Sequence, residues 1–393
     1  MSFLTAARAA LAGRSIVHRI LAPVAVLLFL LLVLLSISCG TSTTKPVALN
    51  HSAYVTLPDN GSVLQLEING TTGAVLPLAQ TPQVQGLSPT GVALLPAKNF
   101  LYAANSEGNT ISIFSVAPDG TLTLTGTPVQ AGDGPNGMAI DPTGSYLLVT
   151  NNFSNNIYVY QINSSTGALT PVGSPVPANG YPTQIVFTHN GNFVYVTNPV
   201  IGMVSAFTFA SGVLTQIAGS PFLSAKNGEA SGLVVNGNDL FLYVANPSAS
   251  NVAPYTTTTG NISGFDINPT TGSLTPMPGS PYASIAGSGP SALVIDPTGE
   301  LLYAITPGST FSVWCFQIGY SNNGQLQEEP DSPFSVAAGG LFALFDPSGK
   351  YLYIGSNKGL AGYTYDPSSG APTIVTGSPF STTVSPGGMI FAH

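Results

Sequence analysis

Charge is scarce in this chain: Asp, Glu, Lys and Arg together make up 6% of its residues. Arginine is scarcer still. Arg8, Arg14 and Arg19 are the only ones, and beyond Cys39 the basic residues are Lys45, Lys98, Lys226, Lys350 and Lys358 against 16 Asp and Glu. A body without a guanidinium is poorly equipped to neutralise a run of phosphates or to clamp one bidentately, which argues against nucleic acid and multiply phosphorylated ligands as partners. Its mild acidity serves solubility on a surface with few charges. Cysteine is nearly absent. Apart from Cys39 there is only Cys315, so no intrachain disulfide can form in the body. Cys315 lies in the apolar stretch from Phe311 to Phe316 and reads as a buried, inert thiol. No Cys-x-x-Cys-His haem motif, no histidine cluster for zinc or copper, no Gly-x-Ser-x-Gly elbow and no spaced Asp loop for calcium occurs. No cofactor and no metal are expected.

What is abundant are turn residues and apolar ones. The chain holds 44 Gly and 33 Pro, a richness that in a polar chain would signal disorder. Here 44% of residues are hydrophobic, and 16 Tyr and 19 Phe are present, so there is plenty to bury and the Gly and Pro read as turns between strands. A length of 393 residues suits one closed all-β domain. The N-terminus is different. Arg8, Arg14, His18 and Arg19 precede an apolar run from Ile20 to Ile37, then Ser38-Cys39-Gly40. A basic segment followed by an apolar one is an export signal. Three outcomes fit: lipidation of Cys39 as in a bacterial lipobox, an uncleaved single-pass anchor, or secretion after the Ser36-x-Ser38 pair. Each puts the body outside the cytoplasm, in the cell envelope or beyond it. The expected division is residues 1–38 as export signal, 39–50 as lipidated Cys39 and polar tether, and 51–393 as the folded body.

The body repeats. Aligned on the centre of one recurrent apolar strand, Tyr54, Tyr102, Leu148, Tyr195, Tyr243, Tyr303 and Tyr353 fall 48, 46, 47, 48, 60 and 50 residues apart. Asn105, Asn151, Asn198 and Asn246 end that strand in four units. Asp141-Pro-Thr-Gly144, Asp296-Pro-Thr-Gly299 and Asp346-Pro-Ser-Gly349 precede it, with His189-Asn-Gly191 as a variant. Pro fixes φ early in such a turn and Gly accepts positive φ later, so these are tight turns. The outer end of a unit reads Gly-Ser-Pro or Asp-Ser-Pro, as at 173–175, 219–221, 279–281, 331–333 and 377–379. Units of this length with four short strands are propeller blades. Runs such as Phe342-Ala343-Leu344-Phe345 read as strands buried on both faces. The first unit lacks an initial strand, and Gly388 to Ala392 supplies one with nothing after it. The expected fold is an all-β, seven-bladed β-propeller of four-stranded blades, closed by N- and C-terminal strands that share a blade. A ring without free edges is expected to be monomeric.

Tyr195-Val-Thr-Asn198, the Asp-Pro-Thr-Gly turns and the Leu-Thr-Pro-x-x-Gly-Ser-Pro ends resemble the YVTN-type, lactonase-like seven-bladed propellers, a family that includes bacterial 6-phosphogluconolactonases. The resemblance covers Tyr54 to His393 and implies a lactone-opening site of His, Arg and Glu near the channel. This body has no Arg, and His51, His189 and His393 lie elsewhere, so no residue can be carried over. In a propeller the loops after the second strand, and those joining successive blades, gather at one mouth of the channel, the expected binding site. There Asn105, Asn151, Asn198, Asn246, Asp133 and Tyr255 are the candidate ligand-binding residues. The asparagines have two readings: carboxamides offered to a neutral sugar or lactone, or caps that bond their own turns. Lys226 and Glu229, in the connection from Pro221 to Ser231, are the catalytic candidates, as electrophile and general base on an ester carbonyl or as a solvated pair. The stretch from Ser248 to Asn261, with Tyr255, reads as a lid or a tolerated insertion. The expected role is an envelope binding or scaffolding module. Its ligand would be a neutral carbohydrate or lactone, or its partner another envelope protein, with the membrane reached through the N-terminus. A lactone or sugar-ester hydrolase is the second reading, and a structural display protein the third.

Overall fold

In the computed structural model the described residues are 50–77, 82–84, 86–178, 180–224, 229–247, 259–286, 289–307, 312–319, 323–337, 340–357, 359–382 and 384–392. They form seven antiparallel sheets, each a meander of four strands ordered from the channel outwards. Blade 2 shows the plan: Pro89–Leu94, Phe100–Asn105, Thr110–Val116 and Leu122–Gln130. Blade 1 is shared as expected. Gly388–Ala392 is its innermost strand and pairs with His51–Leu57, with Tyr54 opposite Ile390. Ser62–Ile68 and Val75–Pro77 complete that sheet.

The second strands are the driest part of each blade. Phe193–Asn198 is buried at all six positions, as is Leu301–Thr306. Both faces meet neighbouring blades, so apolar residues need not alternate with polar ones. The Asp of each tight turn holds the entry to this strand. Asp296 Oδ1 accepts from Glu300 N and Leu301 N at 2.9 and 2.7 Å, and Asp346 Oδ1 does the same for Lys350 and Tyr351 at 2.9 and 2.8 Å. Asn236 takes this place in blade 5, accepting from Leu240 N and Phe241 N.

In five blades the recurrent tyrosine ties its blade to the next, whereas the buried Tyr303 hydroxyl of blade 6 makes no such bond. Tyr54 donates to Gly120 O at 2.8 Å, Tyr102 to Gly167 O at 3.0 Å and Tyr195 to Gly272 O at 2.8 Å. Tyr243 and Gly324 at 2.6 Å, and Tyr353 and Gly73 at 2.7 Å, repeat the bond, the last one across the seam between blades 7 and 1. In every case the acceptor lies in the turn between third and fourth strands of the following blade. Leu148 has no hydroxyl to offer, and there Tyr146 packs against Gly212 instead.

Two features refine the expected plan. The innermost strands pack on both faces but less completely than the second ones: Phe342 and Leu344 lie against the core shared by blades 7 and 1, Ala343 and Phe345 against that of blades 6 and 7, and each is half-buried because the edge of the strand borders the channel. The Ser-Pro ends do not simply begin loops. Ser220, Ser280, Ser332 and Ser378 accept through Oγ from the backbone N of Ala206, Gly264, Cys315 and Gly362 in the third strand. In blades 4, 5 and 6 a short segment then resumes the pairing: Phe222–Leu223, Tyr282–Ala286 and Phe334–Ser335. The outer strand is thus split, with the serine hydroxyl occupying one rung of the ladder.

Candidate functional site

The channel is built from the starts of the first strands, where in blades 2 to 6 a small or polar pair precedes the apolar run. Thr90-Gly91, Asn136-Gly137, Thr183-Gln184, Ser231-Gly232 and Ser291-Ala292 are such pairs. Small size is required where neighbouring strands converge. A Cβ on Gly91 would stand 1.9 Å from Asn136 O, and one on Gly137 would stand 2.0 Å from Thr183 O. The polar members stitch adjoining blades together: Thr90 Oγ1 donates to Pro135 O at 3.2 Å and Ser231 Oγ to Ser291 O at 3.1 Å, and Thr150 Oγ1 of the second strand of blade 3 donates to Thr183 O at 2.7 Å. Gln184 Oε1 accepts from Leu233 N at 2.8 Å, and Ser291 Oγ donates to Gly340 O at 3.1 Å.

This neck opens into a cavity of about 710 Å³ lined by Thr90, Asn136, Thr183, Gln184, Ser231 and Ser291 together with Glu229. Glu229 is exposed, and it is the one charged side chain among the described residues of the lining. Its carboxylate can accept hydrogen bonds from ligand hydroxyls or take a proton from water. Among the described lining residues no His, Cys, Lys or Arg joins it. Among all described residues, no group of three His, Cys, Asp or Glu could hold a metal ion.

The asparagines are elsewhere in their own blades. Asn105, Asn151, Asn198 and Asn246 are at most 1% exposed, which removes them from direct contact with a ligand in the mouth. Asn105 Nδ2 donates to Thr110 Oγ1 and Ser112 Oγ, both at 3.0 Å, and Asn198 Nδ2 to Ser205 Oγ at 2.8 Å. Asn151 Nδ2 donates to Asn156 Oδ1 at 3.0 Å, while its Oδ1 accepts from Gly132 N at 3.1 Å. Asn246 donates to Asn261 Oδ1 and Ser263 Oγ and accepts from Ser224 Oγ. Each therefore joins the end of its second strand to the start of the third, and Asn151 and Asn246 also grip an incoming connection. Asn261, expected at the edge of an insertion, is instead paired with Asn246 inside the third strand Thr259–Ile267.

Asp133 is exposed on the rim rather than in the lining. Its Oδ1 accepts from Asn109 Nδ2 at 3.1 Å, and Asn109 Oδ1 accepts from Gly134 N at 2.9 Å. Cys39, Lys226 and Tyr255 lie outside the described residues. So Glu229 is the expected site residue that reaches the channel. The polar first-strand residues do have a signal in the sequence: a small or polar pair, often after Pro, recurring at the blade period. His189, in the turn between first and second strands of blade 4, lies with its Nδ1 2.8 Å from Asp239 Oδ1. His51 Nε2 stands 3.8 Å from the buried Asp346 carboxylate.

Solved structures of similar form are widespread. A candidate 6-phosphogluconolactonase of Bacteroides fragilis superposes with a TM-score of 0.74 at 18% identity, over 89% of this chain and 99% of its own. The periplasmic gluconolactonase PpgL of Pseudomonas aeruginosa gives 0.72 at 18% identity, over 88% and 99%. A protein of Lactobacillus plantarum gives 0.72 at 17% identity, over 88% and 100%. At such identities the likeness is one of fold. No curated protein matches the chain by sequence. The family profile described as "Lactonase, 7-bladed beta-propeller" matches residues 48–183 and 179–304. With that match over more than half its length, and a ring of seven four-stranded blades to go with it, the chain belongs to the lactonase family of seven-bladed β-propellers.

Proposed function

We propose that this protein is an exported binding module that takes a small neutral sugar or lactone in the mouth of its channel. The observation that carries the reading is the lining: hydroxyl and amide groups around one exposed carboxylate, Glu229, with apolar side chains such as Leu233, Leu341 and Phe342 beside them, in a cavity of about 710 Å³. Such a surface matches a polyhydroxylated neutral molecule, whose hydroxyls donate to the carboxylate and accept from the rim. It is ill suited to a phosphorylated sugar, since the chain beyond Cys39 has no Arg. Export follows from the basic and apolar N-terminus, with lipidation of Cys39 as its form. The relative from Pseudomonas aeruginosa is itself described as periplasmic, which supports that address.

The second reading is hydrolysis of a neutral lactone or sugar ester. It is favoured by the family and by Glu229, placed where a general base would activate water against a carbonyl bound in the mouth. Calorimetry and product analysis on one panel separate the two. Neutral sugars and sugar lactones should bind the full-length protein while the corresponding phosphate esters do not. Glu229→Gln should weaken binding about tenfold, the loss of one charge-assisted hydrogen bond. Lactone turnover that disappears in Glu229→Gln or Lys226→Ala would establish the hydrolase. Absence of binding by every neutral sugar and lactone would overturn the site.

A further inference from the structure

Below the polar rim the channel wall changes character. Further along the same strands the lining becomes Val92 and Leu94, Met138 and Ile140, and Val186 and Ile390. These enclose a second cavity of about 410 Å³, and Val92, Met138, Ile185 and Val186 line both it and the upper one. The two are therefore storeys of one passage. Within blade 2 the strand packs on both faces, Val92 and Leu94 against the core shared with blade 1 and Ala93 and Leu95 in the core shared with blade 3, yet Val92 and Leu94 stay half-buried and keep part of their surface in the cavity. The polar groups at the foot are already engaged. Asp141 Oδ1 accepts from Ser145 N and Tyr146 N at 2.8 and 2.6 Å, and His189 is held by Asp239. What the lower storey offers a ligand is aliphatic surface, whose removal from water is favourable in proportion to its area.

We infer that the ligand is amphiphilic: a small lactone head held at the rim beside Glu229, carrying an unbranched hydrocarbon tail that descends between Val92, Leu94, Met138 and Ile140. The chemical class is that of alkyl-substituted lactones. The inference rests on the rim being a neutral-head site and adds to it the reason for the wall beneath. From Thr90 at the rim to Leu94 the strand descends about 13 Å, room for a tail of several methylenes. A sugar lactone without a tail would leave the lower storey, whose lining is the more apolar of the two, in contact with water.

The test is a homologous series. Unsubstituted, ethyl-, butyl- and hexyl-bearing γ-lactones are titrated calorimetrically into the full-length protein. Each added methylene should raise affinity about fourfold until the tail meets the foot of the channel. Leu94→Gln and Ile140→Thr, which alter only the lower storey, should flatten that series and leave the affinity of the unsubstituted lactone unchanged. Circular dichroism melts establish that each variant is folded, and if one is not, the other carries the test. A flat series in the parent protein, with the unsubstituted lactone still bound, would overturn the tail site and spare the rim. A tail dependence unchanged in both variants would also overturn it, because the tail would then lie elsewhere. Failure of every lactone to bind would instead remove the rim reading on which the inference rests.

Discussion

At the scale of single residues, the tyrosines show how one side chain can serve the repeat and the ring together. Tyr102 is fully buried, and its hydroxyl reaches the next blade to donate to Gly167 O at 3.0 Å. Removing that hydroxyl leaves a carbonyl without its donor, so Tyr102→Phe should cost about 1–2 kcal/mol in denaturant titrations. Burial also pushes these phenols up: Tyr54 to about 12, with Tyr102, Tyr160, Tyr195 and Tyr353 higher still. An unfolded tyrosine ionises near about 10. The folded value is the raised one, so this contribution to stability is intact below about pH 10 and is lost as pH climbs from there through the folded values. Phenolate absorbance and circular dichroism should therefore change together in one cooperative alkaline transition. Ionisation of these tyrosines near pH 10 with an unchanged dichroism spectrum would contradict their burial. Cys315 behaves alike, since its fully buried thiol is pushed up to about 12, chiefly by desolvation. It should resist thiol reagents at neutral pH until the protein unfolds.

At the scale of the element, turns and caps decide where strands begin and end. Asp296 is 3% exposed and accepts from two backbone amides at the start of the second strand. Asp296→Ala orphans both, and a loss of about 2–4 kcal/mol in unfolding free energy is expected, with Asp296→Asn costing less because it keeps an acceptor. Those turns were readable in the sequence, since Asp-Pro-Thr-Gly has a local mechanism that does not depend on the rest of the fold. So were the second strands, whose apolar runs are buried on both sides. The split outer strand was not. A two-residue pairing such as Phe222–Leu223 leaves no periodicity to detect, and the Pro before it reads as a breaker. The channel itself is illegible for a related reason: Phe342 to Phe345 packs against blades on both faces, and the edge that borders the cavity leaves no mark on its sequence. The asparagines were visible as residues, but both readings place Asn at a strand end. Only the direction of the side chain, inward to Thr110 and Ser112 in the case of Asn105, separates a cap from a ligand contact. Glu229 was a candidate from the sequence alone, and the fold adds its position in the lining of the channel cavity.

At the scale of the whole molecule, the ring depends on a strand far from its partner in sequence. Met389 pairs with Val55 and Phe391 with Ala53, so blade 1 exists only when both ends of the body meet. The seam is reinforced at its outer edge by Tyr353 donating to Gly73 O and by Tyr351 donating to Thr71 O at 2.6 Å. Phe391, in turn, packs with Tyr353 at a ring separation of 5.7 Å. Removing residues 388–393 would bare the backbone edge of His51–Leu57, which is buried from Ala53 to Leu57, and withdraw Phe391 from the cluster shared by blades 1 and 7. An exposed apolar edge of that kind pairs with other chains. The truncated protein should therefore unfold at lower denaturant concentration and elute as oligomers in size-exclusion chromatography. A synthetic peptide spanning Gly387 to Ala392, added in trans, should restore part of both properties by filling the vacant strand position. A truncated chain that eluted as the full-length protein does, with an unchanged unfolding midpoint, would show that the other six blades hold the ring without closure. The shared blade would then be an accessory to the propeller and not the clasp that the pairing of its two ends describes.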